Sequence, residues 1–358
     1  MARIDLQTKV CERVKALKAY HVDNYDAEIK LHANENSHSL PPAVVEQFGN
    51  RLRELDLNRY PDPDCADLKK TLARQLNINH NQLTIGNGSD ELIQILIQIF
   101  CDPGDALAIP DPTFAMYNII AKGLGVRPIP YSLNEHWDLE AKPFLDSIRD
   151  QKVRLIFFSY PNNPTGNCFN KNEIQKVIEE FDGIVVLDEA YYDFARLSFI
   201  EQLSNHNNLI VLRSLSKIGL AGLRVGYGIA TPEIIQEIDK IRLPYNSNML
   251  SQEFSDIVLS QFELVKEQIN EIIEERERIR QSLSEIEGVT SYKSDANFIL
   301  FQTEKSSRDV FNELAKRGIL IRDLGAHPRL KNCLRVTIGT RDENNFFLKE
   351  LKAISQTA

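Results

Sequence analysis

The chain has 358 residues, with 42 Lys plus Arg against 51 Asp plus Glu, a formal net charge of −9. At roughly 150 residues per domain this predicts two domains, and scattered basic residues on an acidic chain exclude the electrostatic footprint of a nucleic-acid or anionic-membrane binder. Apolar residues at 42% and charged residues at 26% exclude a disordered, collagenous or coiled-coil chain.

The opening residues, M-A-R-I-D-L-Q-T-K-V, hold no apolar run of signal-peptide length. Nothing further along approaches the ~18 apolar residues of a membrane span, so a cytoplasmic protein is expected. An amphipathic pattern over 6–17 predicts a helix within an N-terminal arm, 1–30. Apolar runs at 82–85, 106–109, 153–159, 184–187, 209–212 and 225–230 then alternate with helical patterns such as 90–100, 114–122 and 171–181. Such alternation predicts an α/β fold, with a mainly parallel sheet flanked by helices in a large domain, 31–245. Beyond Pro244, apolar spacings of three and four predict one long helix over 251–286. Strands at 289–292, 297–302 and 334–338, with helices at 308–316 and 341–355, complete a smaller α+β domain, 246–358. Cys11, Cys65, Cys101, Cys168 and Cys333 are odd in number and far apart, so reduced thiols and no metal site are expected.

Ligands of open α/β sheets bind beyond the carboxyl ends of the strands, so the residues just after each strand carry the functional argument. G-N-G-S-D-E (86–91) opens a helix, and its free amides suit an anion, although a plain N-cap by Ser89 or Asp90 explains it equally. Y-P-N-N-P-T-G (160–166) makes a rigid turn that presents the amide of Asn163. D-E-A-Y (188–191) ends an apolar strand in Asp188, either a turn cap or a buried acid. R-S-L-S-K (213–217) sets Lys217 behind an apolar strand, between hydroxyls and ahead of Arg224. That lysine is either a snorkelling side chain or a desolvated amine able to form a Schiff base. Anion cradle, amide donor, buried acid and nucleophilic lysine together are the set that a pyridoxal phosphate site needs.

In order and spacing, N-N-P-T-G, D-E-A-Y, S-L-S-K and G-L-R-V-G-Y resemble the fold-type-I pyridoxal-phosphate aminotransferases. Within them, A-N-E-N (33–36), N-R-Y-P (58–61), G-S-D-E (88–91), G-I-L-I-R-D (318–323) and C-L-R-V-T-I-G-T (333–340) resemble the histidinol-phosphate aminotransferases. The resemblance implies that Lys217 carries pyridoxal 5′-phosphate as a Schiff base and that Asp188 pairs with its ring nitrogen. It further implies that Asn163 and Tyr191 bond the 3-oxygen, and that Phe114 stacks on the ring. Ser89, Asp90, Ser214, Ser216 and Arg224 would hold the cofactor phosphate, with Tyr60 reaching it from the partner of a homodimer. Tyr20, Asn34, Asn163, Arg322 and Arg335 would bind the substrate, histidinol phosphate, with 2-oxoglutarate and glutamate as the other pair. Internal salt bridges to Asp323 or Glu343 are the competing reading of the two arginines. Threonine-phosphate decarboxylase, aromatic amino-acid aminotransferase and a non-catalytic regulatory protein are the rival functions on this scaffold.

Overall fold

The computed structural model describes residues 4–19 and 26–356. Its centre is a seven-stranded sheet in the order Leu83–Asn87, Val225–Ile229, Leu209–Ser214, Ile184–Asp188, Val153–Ser159, Ala106–Asp111, Arg127–Ser132. Six strands run one way, and Val225–Ile229 is antiparallel to both its neighbours. Leu155 and Phe157 belong to one buried cluster, and Ile156 and Phe158 to another. Successive strand residues therefore enter cores on opposite faces, which is why these strands read as unbroken apolar runs. Helix Ser89–Phe100 fills one face with Leu92, Ile93 and Leu96, while Phe144, Ile174 and Val177 from two other helices fill the opposite one.

Four antiparallel strands, Arg322–Asp323, Cys333–Thr337, Phe298–Thr303 and Val289–Ser291, form a second sheet. Ile29–Lys30 pairs in parallel with Ile319–Leu320. Just after it, Leu31 N donates to Leu320 O at 2.7 Å and Leu31 O accepts from Thr337 N at 2.9 Å. The segment around residue 32 is thus stitched between strand Ile319–Leu320, two residues ahead of Arg322, and the end of the strand that carries Arg335.

Three elements differ from the sequence expectation. Residues 6–17 form only two short pieces, Leu6–Thr8 and Glu12–Lys15, with no buried residue, because a short helix without a face to bury does not offset its nucleation cost. The long helix breaks at Gln261 into Met249–Ser260 and Phe262–Ser284. Its first part packs on helices Pro42–Leu52 and Ala66–Leu76, its second on Val289–Ser291 and the C-terminal helix. An apolar stripe records burial and not the change of partner. Arg127–Ser132 is a strand despite Pro128 and Pro130, tolerated because it is the sheet edge and bonds on one side only.

Behind the carboxyl edge, Arg213 Nη2 and Glu189 Oε2 meet at 2.9 Å with side chains 4% and 0% exposed. Ser198 Oγ and Phe199 N also donate to the Glu189 carboxylate, and the Arg213 guanidinium stacks on Tyr192. Glu189→Ala would leave a buried guanidinium without the carboxylate oxygen that accepts from both its Nε and Nη2 and should cost about 3–5 kcal/mol in denaturant unfolding. A loss under about 1 kcal/mol would show that the neighbouring Asp193 carboxylate takes over.

Candidate active site

The parallel strands end on one edge, and the antiparallel strand Val225–Ile229 begins there, so residues scattered from 89 to 224 converge. They line a cavity of about 540 Å³ closed by residues 32–35, Arg322, Leu324 and Arg335.

One part of the cavity is built for an anion. Ser89 starts a helix, leaving its first amides unbonded within the helix. A Cβ on Gly226 would lie 2.3 Å from Ser89 N, and one on Gly88, at φ +78°, would lie 2.5 Å from Arg224 Nη2. Only glycines let these groups close in this way. Ser214 Oγ donates to Ser216 Oγ at 2.9 Å, Arg224 Nη1 lies 3.5 Å from Ser216 Oγ, and Arg224 Nη2 pairs with Asp90 Oδ2 at 3.1 Å.

At its centre, burial pushes the Asp188 carboxyl up to about 6. Tyr117 OH donates to Asp188 Oδ2 at 2.7 Å and Ala190 N to Oδ1 at 3.2 Å. Burial, followed by the Arg335 charge, pulls the Lys217 amine down to about 8; its Nζ donates to Ala33 O at 3.3 Å. Tyr191 OH accepts from Asn34 Nδ2 at 2.9 Å and from Asn163 Nδ2 at 3.2 Å. Phe114 lines the same cavity and meets Tyr117 edge-on, ring centroids 5.4 Å apart.

Arg322 and Arg335 are direct cross-strand partners in the small sheet. Like charges so placed share a face and repel, so an anion held between them relieves the pair. Arg335 Nη1 donates to Asn163 Oδ1 at 2.5 Å and Nη2 to His32 O at 2.8 Å. Asp323 pairs instead with Arg308 at 3.0 Å, and Glu343 accepts from the Thr340 amide and hydroxyl.

Of the residues read from sequence, Tyr60 does not line the cavity; it is 79% exposed and stacks on Tyr245 at 4.5 Å. Tyr20 lies outside the described residues. Tyr117 and His32 were not legible as site residues. Tyr117, three positions after Phe114 on a helix, reads as core until its hydroxyl is seen on Asp188, and His32 is a lone histidine ahead of A-N-E-N.

The aminotransferase class I and II family profile matches residues 26–351. The chain is 42% identical to histidinol-phosphate aminotransferase 2 of Nitrosococcus oceani, over 95% of both chains. It is 38% identical to histidinol-phosphate aminotransferase of Caldanaerobacter subterraneus, over 96% of this chain and 97% of that one. In fold it is similar to histidinol-phosphate aminotransferase of Sinorhizobium meliloti, crystallised with pyridoxal-5′-phosphate, with a TM-score of 0.89, 24% identity and 98% of each chain covered.

The raised Asp188 value gives a pH signature. In the ligand-free protein the ionised carboxylate destabilises the fold above about pH 6, and this penalty fades as pH falls toward the ordinary value of 3.8. Ligand-free Asp188→Asn should therefore be more stable than the parent at pH 8, by on the order of 2 kcal/mol. Thermal melts from pH 8 to 4 should show the difference shrinking, and a gap independent of pH would contradict the assignment.

Proposed function

The chain belongs to the class I and II aminotransferases, within the histidinol-phosphate aminotransferase family, and from that premise we propose that it moves the amine of L-histidinol phosphate to 2-oxoglutarate. The products are imidazole acetol phosphate and glutamate, the cofactor is pyridoxal 5′-phosphate, and the step belongs to histidine biosynthesis. The observation that carries this reading is a desolvated lysine sharing one cavity with two anion-binding clusters, Ser89–Ser214–Ser216–Arg224 and Arg322–Arg335.

The side chains present fit the cofactor group by group: a buried carboxylate for the ring nitrogen, a phenol and amides for the 3-oxygen, a glycine-bounded cradle for the phosphate, and a lysine for the aldehyde. Bound there, pyridoxal phosphate supplies an electron sink for negative charge at the substrate Cα. Lys217 would hold its aldehyde through Nζ and, once released, would be the base placed to take a proton from the substrate Cα. An amine depressed to about 8 gives up its proton more readily near neutral pH than an ordinary lysine does. Asp188 holds a proton on the ring nitrogen through a charge-assisted bond contributing ~1.5–3 kcal/mol, with Tyr117 fixing the carboxylate. Because the two amides of Asn34 and Asn163 occupy the lone pairs of Tyr191 OH, its own proton is left to donate to the 3-oxygen. Phe114 covers a ring face and excludes water, and Asp90 keeps Arg224 turned toward the cradle. Arg322 and Arg335 hold the substrate phosphate, with Asn34, Asn163 and Tyr20 as further substrate contacts.

Histidinol phosphate should convert the bound cofactor to its amine form, read as a change in absorbance, and 2-oxoglutarate should be needed to reverse it. Arg322→Ala or Arg335→Ala should lower kcat/KM for histidinol phosphate by at least ~2 kcal/mol while hardly altering activity on unphosphorylated histidinol. Equal losses on both would assign the arginines to structure. Carbon dioxide release from threonine phosphate without a keto acid would favour the decarboxylase.

The exposed Tyr60, with Leu57, Leu243 and Tyr245 also exposed, supports a homodimer in which Tyr60 completes the cofactor phosphate site of the partner. Mixing inactive Lys217→Ala subunits with inactive Tyr60→Ala subunits should restore activity through hybrid sites. No recovery, under proven subunit exchange, would rule out a shared site.

A further inference from the structure

His32 lines the cavity beside the two substrate-side arginines. Its carbonyl accepts from Arg335 Nη2 at 2.8 Å, and the backbone on either side is bonded to strand Ile319–Leu320, two residues ahead of Arg322, and to Thr337 of the strand that carries Arg335. Its ring is therefore placed by the elements that set the Arg322–Arg335 pair. Ring atom Nδ1 is sealed from solvent and has no hydrogen-bond partner among the described residues. A buried N–H without an acceptor is less tolerable than a buried lone pair without a donor. The neutral ring accordingly carries its proton on Nε2, the nitrogen left for the cavity. Burial lowers the basicity of the ring, and so do Arg322, Arg335 and Lys30, while Glu35 opposes them; at neutral pH one N–H donor remains.

We propose that His32 is a specificity-determining residue of the Arg322–Arg335 subsite, donating from Nε2 to a phosphate oxygen of the substrate. The inference rests on the transaminase reading above and extends it. A phosphate monoester presents three terminal oxygens and a carboxylate only two. Two guanidinium forks saturate a carboxylate, but leave a phosphate oxygen able to accept from a third donor. His32 thus separates the two substrates that share the cavity: it strengthens binding of the phosphorylated amine and adds nothing for the dicarboxylate pair.

The test uses the cofactor-loaded enzyme, whose cofactor cradle is filled, so that an added phosphate monoester reads the Arg322–Arg335 subsite. Methyl phosphate should bind the parent about tenfold or more tightly than it binds His32→Ala, the scale of one hydrogen bond to a charged group. His32→Gln, which places an amide N–H near the position of Nε2, should recover most of that difference. In steady state, His32→Ala should raise KM for histidinol phosphate by a similar factor and change KM for 2-oxoglutarate less than twofold. Unchanged methyl phosphate binding in His32→Ala, or equal losses on both substrates, overturns the proposal. His32-dependent binding of methyl phosphate in an enzyme that does not turn over histidinol phosphate would instead overturn the transaminase reading and leave the phosphate subsite standing.

Discussion

Burial moves two ionisable groups toward neutrality from opposite directions: the Asp188 carboxyl rises to about 6 and the Lys217 amine falls to about 8. They sit at the ends of adjacent parallel strands, so one dry edge of one sheet prepares both an acid for a ring nitrogen and an amine for an aldehyde. Water would undo both effects. The helices on both faces of the sheet and the close approach that the glycines permit at the anion cradle both serve that dryness. Tyr117 illustrates the economy of the arrangement: a fully buried ring stacks on Phe157 for packing, while its hydroxyl steadies the Asp188 carboxylate.

The Arg213–Glu189 pair lies one residue from Ser214 on one strand and one residue from Asp188 on the next. A buried ion pair is weak evidence of stability in itself. Here its position matters more, since it clips together the two strand ends from which acid, hydroxyls and lysine all project. Charges not used for chemistry thereby fix the spacing of those that are.

Much of the large sheet was legible because its strands are buried on both faces and so stand out as apolar runs; Val153–Ser159 is predicted and observed with the same limits. The prolines of Arg127–Ser132 hid an edge strand, and the apolar stripe beyond residue 250 hid a break, since period reports burial but not partner. At the site, Lys217, Asp188, Asn163 and Arg224 were legible because each sits at or beside the end of an apolar strand within a turn-forming motif. His32 and Tyr117 carry no such motif. What marks them is a lone unpartnered nitrogen and a single hydroxyl contact, facts of three-dimensional packing that spacing along a chain does not encode.

The pairing of Ile29 with Ile319 bears on the order in which the molecule comes together. Contacts between residues so distant along the chain form late, because a large loop must close before they are rewarded. The strands that bear Asp188, Ser214, Lys217 and the anion cradle all lie between residues 83 and 229 and can associate during synthesis. Strand Ile29–Lys30 finds its β-partner, and residues 31–34 their contacts with Thr337 and Arg335, only once the C-terminal strands have left the ribosome. The chain thus acquires the half of its cavity built around Lys217 first, and the half built around the arginine pair only when its two ends meet.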